Sequence, residues 1–318
     1  MKICHILTAN PYKEIGGTPL VAMSIIKCCR QHGIEAEAKH GIGVQPFKGF
    51  IYPIFLALRL FRNKYDIIHM HDHQGYWYTF LPKRLKKKIV YTSHGETTEY
   101  YNSIKPVGIV DKLKARVLIA IQKRLVTQAD VVVAVSNAVK ENIIKYYGVN
   151  PEKIVVIYNG VDTEKFRPRK KIKHGKKTAL WVGTNAEAKG LEKATIYAQN
   201  HGMKLRVVGV KGKSTENTEF IGPVPYGKMP EIYNSANLLL YFSWNDGHAL
   251  VPLEAMACGL DVIASKESNI EIMPLSKNGT YSISGKKAAE RIKKFDWKIQ
   301  AKKYTELYRK VIVGQNLN

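Results

Sequence analysis

Residues 245–265 read NDGHALVPLEAMACGLDVIAS. A carboxylate, Asp246, stands before a glycine turn, and a second, Glu254, lies inside the apolar run that follows. Pro252 is tolerated only in a helix's first turn, where its missing N–H is not needed. The pattern therefore predicts a helix from about Ala249 to Cys258, with Gly259 at its C-terminal stop and DVIAS as a buried strand. The free N–H groups around His248 to Val251 would then form an anion site with Asp246 on its rim. Glu254 falls among Ala255, Ala257 and Gly259, small residues that let a helix lie close to a sheet. A carboxylate buried there needs a hydroxyl or a cation. An isolated Asp-x7-Glu is more often a helix cap and a surface residue; the apolar company of Glu254 is what points to a site. An anion joined to a polyhydroxylated group, such as a nucleotide diphospho-sugar, would satisfy both features.

The chain has 318 residues and is 45% hydrophobic, enough for two domains with their own cores. Fifty Lys and Arg against 26 Asp and Glu leave a net charge of +24. Such an excess attracts nucleotide phosphates, acidic lipid headgroups or nucleic acid. Cys4, Cys28, Cys29 and Cys258 show no C-x-x-C spacing, as in a reduced protein without structural zinc. The start, MKICHILTAN, reads as a strand entering a loop and not as a signal peptide. The most apolar run, Phe50 to Leu60, is too short to cross a bilayer. A cytoplasmic protein is expected.

Outward from the opening stretch, strand and helix patterns alternate. Strands are expected at Lys2–Thr8, Ile34–Lys39, Asp66–His71, Lys88–Thr92 and Asp130–Val135, and again in KIVVIYNG. Helices are expected at Pro19–Gln31, Gly75–Leu85 and Ile109–Thr127, and in SNAVKENIIKYYG. ETTEYYNSIKP, Glu96 to Pro106, reads as a long functional loop. A Pro-containing basic stretch, up to about Lys177, then separates a second alternation: strands at Thr178–Val182, Leu205–Gly209, near Phe220 and at Leu238–Phe242, with helices from about Gly190 and at Tyr226–Asn234. The alternation means doubly wound parallel sheets. We expect an N-terminal Rossmann-like domain over 1–165, a C-terminal one over 166–296, and a helix over 297–318 crossing back to the first domain, with ligand bound in a cleft between the two.

The ordered segments IGGTPLVA, DIIHMHD, VYTSHGE, AVSNAVKENIIKYYGVNPEKIVVIYNGVDTEKFRP, WVGTNAEAKGLE, FIGPVPYGKMPEIYNSANLLLYFS, DGHALVPLEAMACGLDVIAS and FDWKIQAKKYTELY resemble retaining GT-B glycosyltransferases of family 4 over nearly the whole chain. The resemblance implies transfer of a hexose-type sugar from a nucleotide diphospho-sugar to a lipid-linked or glycan acceptor, with no cofactor and no metal. Gly16 and Gly17 correspond to the glycine loop that approaches the donor phosphates. This is no P-loop, since no GK[ST] follows. Lys189 matches the lysine that neutralises the departing diphosphate, Glu254 the carboxylate that holds the ribose, Asp246 the one that holds the transferred sugar, and His94 the histidine near that sugar. Gly247, His248, Ala249 and Leu250 complete the donor side. The family usually has Glu at Asp246, Phe-Gly at His248-Ala249 and Arg at Thr184; Lys211 and Lys213 are candidates by position to replace the lost charge. The segment between Pro274 and Lys286 looks short, as if an edge of the second domain were missing.

Other readings start from other residues. His69, His71 and His73 have strand spacing and, with Asp72, could form a metal site of a hydrolase, but no later His/Asp cluster completes one. The basic runs at Lys83–Lys88 and at RPRKKIKHGKK could bind nucleic acid, yet no recognition motif accompanies them, so nucleic acid is not the expected partner. Anionic membrane fits better: an amphipathic stretch, Phe47 to Arg62, precedes the Lys83–Lys88 run, implying peripheral attachment at the inner face. The Thr184 and Asp246 departures also fit a catalytically weak, nucleotide-binding relative.

Overall fold

The computed structural model describes residues 1–8, 16–40, 60, 64–71, 73–169, 177–244 and 246–315. The amphipathic stretch up to Arg62 (Leu60 aside), Asp72, Asn245 and most of the basic linker lie outside them. The chain divides into two compact units, Met1–Asn159 with Trp297–Asn318, and Gly160–Asp296. The first break therefore lies at Asn159–Gly160, ahead of the 165 read from the sequence.

The first unit is built on a parallel six-stranded sheet of order β2-β1-β3-β4-β5-β6. Its strands are β1 (Lys2–Leu7), β2 (Glu35–His40), β3 (Ile67–Met70), β4 (Lys88–Ser93), β5 (Val131–Ala134) and β6 (Ile154–Val156). The central strands are almost wholly buried because helices cover both faces of a parallel sheet, which is why VVVA carries no polar residue. The helices are α1 (Gly17–Gln31), α2 (Thr97–Ile104), α3 (Ile109–Gln128), α4 (Asn137–Tyr147) and α9 (Trp297–Val313). The Ser136 hydroxyl caps α4 by accepting from the Val139 N–H at 3.2 Å, and Gly148 ends it in the left-handed conformation. Helix α9 packs on α1 and buries Tyr304, Leu307, Tyr308 and Val311.

Two expectations fail here. The segment read as a structureless loop is the helix α2, with Glu99 in its first turn and Glu96 and Gln122 buried beneath it. The helix expected at Gly75–Leu85 is two 3₁₀ segments, His73–Phe80 and Lys83–Leu85, parted at Pro82, which cannot donate the backbone bond that a continuous helix needs.

The second unit repeats the plan with order β12-β11-β10-β7-β8-β9. Its strands are β7 (Thr178–Val182), β8 (Lys204–Val208), β9 (Thr218–Gly222), β10 (Leu238–Tyr241), β11 (Asp261–Ser265) and β12 (Thr280–Ile283). Its helices are α5 (Leu191–Asn200), α6 (Met229–Asn234), α7 (Leu250–Ala257) and α8 (Gly285–Arg291). The edge thought to be missing is present: β12 pairs antiparallel with β11, so the sheet is not purely parallel. Where the chain enters and leaves this unit it is pinned to itself. The Val161 N–H donates to the Phe295 carbonyl at 2.9 Å, and the Thr163 N–H and hydroxyl both donate to the Asp296 carboxylate.

Two glycines separate local from tertiary constraint. A Cβ on Gly209 (φ +102°) would lie 2.2 Å from the Gly183 carbonyl oxygen, whereas one on Gly148 (φ +64°) would meet nothing within 4 Å. Gly148→Ala should cost about 1–2 kcal/mol, the price of the left-handed backbone alone. Gly209→Ala should cost clearly more than the roughly 1–3 kcal/mol of backbone strain, since the β7 and β8 loops must also part. Calorimetric melts of both variants check this; equal losses would contradict it.

Candidate active site

In an open α/β sheet, ligands meet the carboxyl ends of the strands where the strand order reverses. In the second unit the reversal lies between β7 and β10, which are paired neighbours. The loop after β7 carries Lys189 and the loop after β10 carries Asp246. Lys189 Nζ donates to both Asp246 oxygens, at 2.7 and 2.8 Å, and to the Ser243 hydroxyl at 3.3 Å. The Tyr241 hydroxyl also donates to Asp246. Burial pushes the Asp246 carboxyl upward, but the Lys189 charge and hydrogen bonds from Lys189, Ser243 and Tyr241 more than offset it, so its pKa lies below the ordinary value.

Local chemistry fixes this contact. Gly190 (φ +63°) sits so close to β10 that a Cβ would lie 2.4 Å from the Phe242 carbonyl oxygen. The Trp244 N–H donates to the Ala188 carbonyl at 3.1 Å, and the Trp181 indole N–H to the Lys189 carbonyl at 2.9 Å. The lysine backbone is thus held from two strands. Lys189 lies in the turn before α5 and not in the helix itself.

Helix α7 follows Asp246. Ala249 stands at its N-cap in an extended conformation, with no side chain capping the first turn. Gly247 and His248 are buried, and Ala249 and Leu250 are half-buried. Burial holds the His248 imidazole to a pKa of about 4, so it is neutral at pH 7. Thr184 is exposed, as are Lys211 and Lys213.

Glu254 is buried, and both its oxygens are occupied. The Tyr226 hydroxyl donates to Oε1 and the Tyr233 hydroxyl to Oε2, each at 2.7 Å. The Lys165 ammonium stands 3.7 Å from the Tyr226 ring centroid. Burial raises the carboxyl to about 7 despite the two tyrosines and the lysine. The partner that a buried carboxylate demands here comes from the protein's own core, so burial alone is no evidence for a ligand at this position.

In the first unit the strand order reverses between β1 and β3. Gly16 is extended and Gly17 opens α1. A Cβ on Gly16 would meet only Pro19, at 3.6 Å, and one on Gly17 nothing within 4 Å. Among the described residues, packing does not demand either glycine. Histidines gather at the same reversal. His5 Nδ1 lies 3.0 Å from His71 Nε2, and His71 Nδ1 lies 3.3 Å from His94 Nε2. His69 hydrogen-bonds the Tyr308 hydroxyl at 2.6 Å and the Thr92 hydroxyl at 2.7 Å. Ligand atoms of His5, His69 and His71 all lie within 4.8 Å of one another. The trio is therefore not the His69–His71–His73 set that strand spacing proposes: β3 ends at Met70, and His73 opens a 3₁₀ segment. Burial holds His5 to a pKa of about 3 and keeps His69 and His71 well below their usual range, with neighbouring histidines adding to the effect. Both nitrogens of His69 and of His71 already lie at hydrogen-bond distance from protein partners, which a metal ion would have to replace.

The description Glycosyltransferase Family 4 matches residues 17–165, and Glycosyl transferases group 1 matches residues 162–296. The chain belongs to the family 4 glycosyltransferases of the GT-B fold. It is 27% identical to the O-antigen chain mannosyltransferase of Salmonella typhimurium over 83% of this chain and 72% of that protein. Among solved structures, sucrose-phosphate synthase from Thermosynechococcus elongatus superposes with a TM-score of 0.82 at 16% identity, over 99% of this chain and 100% of that one. Anabaena HepE in complex with UDP-glucose superposes with a TM-score of 0.63 at 18% identity, over 98% and 96% of the two chains.

In this glycosyltransferase the structure brings Lys189 and Asp246 together, sets Glu254 apart in a tyrosine clasp, and carries Gly16, Gly17 and His94 on the other unit. Sequence reasoning missed Tyr241, Ser243, Tyr226, Tyr233 and His5. A hydroxyl closing the apolar strand LLLY, just before Asp246, was the available signal for Tyr241. Tyr226 and Tyr233 left none, because their partner lies on another helix.

Burial lifts the folded Glu254 carboxyl from the ordinary 4.5 to about 7. Its neutral form therefore adds stability below about pH 4.5 that is lost as pH rises through 7, on the order of 3 kcal/mol in all. Glu254→Gln should flatten the fall in melting temperature between pH 5 and 8. Parallel pH profiles for wild type and variant would contradict the assignment.

Proposed function

We propose that this enzyme transfers a hexose-type sugar from a nucleotide diphospho-sugar to a lipid-linked or glycan acceptor, with retention of configuration and without a metal. The observation that carries the reading is the Lys189–Asp246 contact at the strand-order reversal, next to the uncapped first turn of α7. The pair offers a cation for a diphosphate and a carboxylate for sugar hydroxyls within one short reach. The relative with bound UDP-glucose supports a nucleotide-sugar donor. Gly16 and Gly17 take the part of the glycine loop that approaches the donor phosphates, as the family resemblance implies.

In this mechanism the bond between the anomeric carbon and the diphosphate oxygen breaks through an oxocarbenium-like state. The electron pair leaves with the diphosphate. Lys189 turns part of its charge from Asp246 to that oxygen, aided by the N–H groups of Gly247, His248, Ala249 and Leu250. The acceptor hydroxyl attacks the same face and gives its proton to the departing diphosphate. Asp246 holds the sugar, and His94 stabilises the positive charge at its anomeric carbon. Glu254 binds the ribose through lone pairs that the two tyrosine hydroxyls leave unused. Asp246 is one methylene shorter than the usual Glu, so the sugar sits closer to β10 or is reached through water. Lys211 and Lys213 stand in for the charge lost at Thr184. We place the enzyme in the cytoplasm, peripheral on the inner face of the membrane.

A thermal-shift screen against UDP, GDP, ADP and their sugars should find one nucleotide that raises the melting temperature. With that donor, Lys189→Ala should lower kcat about 10²–10³-fold. Glu254→Ala should weaken nucleotide binding while leaving acceptor affinity intact. Unchanged nucleotide affinity in Glu254→Ala refutes the ribose role, and unchanged kcat in Lys189→Ala refutes the mechanism.

A further inference from the structure

Helix α3 is amphipathic in an unusual sense: one face is buried, and part of the opposite face is apolar as well. Ala115, Gln122 and Val126 turn one side of the helix into the first unit. On another side stand Ile109, Val110, Leu113 and Val117, spaced so that helical geometry gathers them in one stripe. They are 87%, 78%, 61% and 43% exposed, and Val107, in the loop before the helix, is 88% exposed. Large aliphatic side chains this exposed, and this close in sequence, are not scattered surface residues.

The stripe is bordered by cations. Lys112 and Arg116 flank it on one side and Lys114 on the other, with Lys105 just upstream, all exposed. Asp111 is the single acid within Lys105–Val117. Tyr100, on the neighbouring helix α2, is also half exposed. Aliphatic residues between lysines and arginines, with an aromatic nearby, are the composition of a helix lying in a lipid headgroup layer. An acidic peptide without apolar side chains would use the cations but leave the aliphatic stripe in water.

We propose that the first half of α3, with Val107, is a face that docks onto an anionic lipid bilayer, the aliphatic stripe entering the headgroup layer and the flanking cations pairing with lipid phosphates. The carboxyl end of β4 lies just before α2, and α3 begins at that same end of the sheet, as a crossover to the parallel strand β5 requires. His94 follows β4 directly. Docking here therefore sets the catalytic end of the first unit, and not its far end, against the lipid. The Lys83–Lys88 groove is a separate feature: it is lined by Thr127 and Gln128 from the opposite end of α3. The purpose of the face rests on the lipid-linked acceptor proposed above, but its existence does not. Vesicle binding is measured without donor or turnover, so either can fail alone.

The test uses the full chain, phosphatidylcholine vesicles, and vesicles with added phosphatidylglycerol. Wild type should co-sediment with the anionic vesicles and far less with the neutral ones. Ile109→Gln/Leu113→Gln should lower the bound fraction about tenfold or more while melting like wild type. Charge reversal of Lys83, Lys86 and Lys87 should have the smaller effect. Leu113→Trp supplies an independent readout: its emission should shift to the blue and be quenched by brominated lipid. The proposal is overturned by absence of sedimentation, by equal binding to neutral vesicles, by wild-type binding of the glutamine variant, or by Leu113→Trp emission that vesicles leave unmoved. Sedimentation velocity showing a wild-type dimer that the glutamine variant loses, with no vesicle binding, would make the face a contact between copies instead.

Discussion

One lysine joined to one aspartate organises the second unit's working end. Lys189 and Asp246 come from loops after β7 and β10, the two strands at which the chain changes its winding direction. The two loops are bonded to each other through backbone and side chain. The backbone bond from Trp244 to Ala188, the indole bond from Trp181 and the tight approach permitted by Gly190 all serve to keep an ammonium group within reach of a carboxylate. The pair is only part-buried, so its charges are strong enough to matter and accessible enough to be shared. A partly exposed cation that already faces one carboxylate is placed to face a second, larger anion.

Two buried polar groups elsewhere, Glu254 and His69, follow a different rule: they find their partners inside the protein. Glu254 accepts from two tyrosines, and His69 from or to two hydroxyls. Burial then drives these groups toward their neutral forms, carboxyl upward and imidazole downward. The result is a hydrogen-bonded interior with little fixed charge beneath strand ends where charge is concentrated. Such a contrast lets an electrostatic site act on a ligand without competing ions behind it.

Much of the fold was legible because parallel sheets impose a demanding pattern. Uninterrupted apolar runs such as VVVA and LLLY, alternating with capped helices, left few other architectures. Pro252 and Gly259 marked α7 to within a residue at each end. The pattern failed where local and tertiary forces disagree. ETTEYYNSI reads as loop by composition, but packing against α3 makes it helical. Short β12 was hidden because an edge strand with one exposed face needs little apolar sequence. For the site, the charged residues stood out and their partners did not. Asp246 stands out by its place before the glycine turn and Lys189 by the family resemblance, whereas Tyr226, Tyr233 and His5 acquire their roles only from neighbours distant in sequence.

The last helix has a consequence for the order in which this protein is made. Helix α9 follows the second unit in the sequence, yet its Tyr304 and Tyr308 are buried in the first unit, and Tyr308 bonds His69 on β3. A ribosome delivers residues from the N-terminus, and domains fold as units as they emerge. The second unit is contiguous and is complete once Asp296 is free. The first must wait for α9, which follows the second unit, and the contact of His69 with Tyr308 forms only when that helix arrives. The unit whose strands are synthesised first thus closes after the second, and a stop just ahead of α9 would leave the first unit, not the second, without its closing piece.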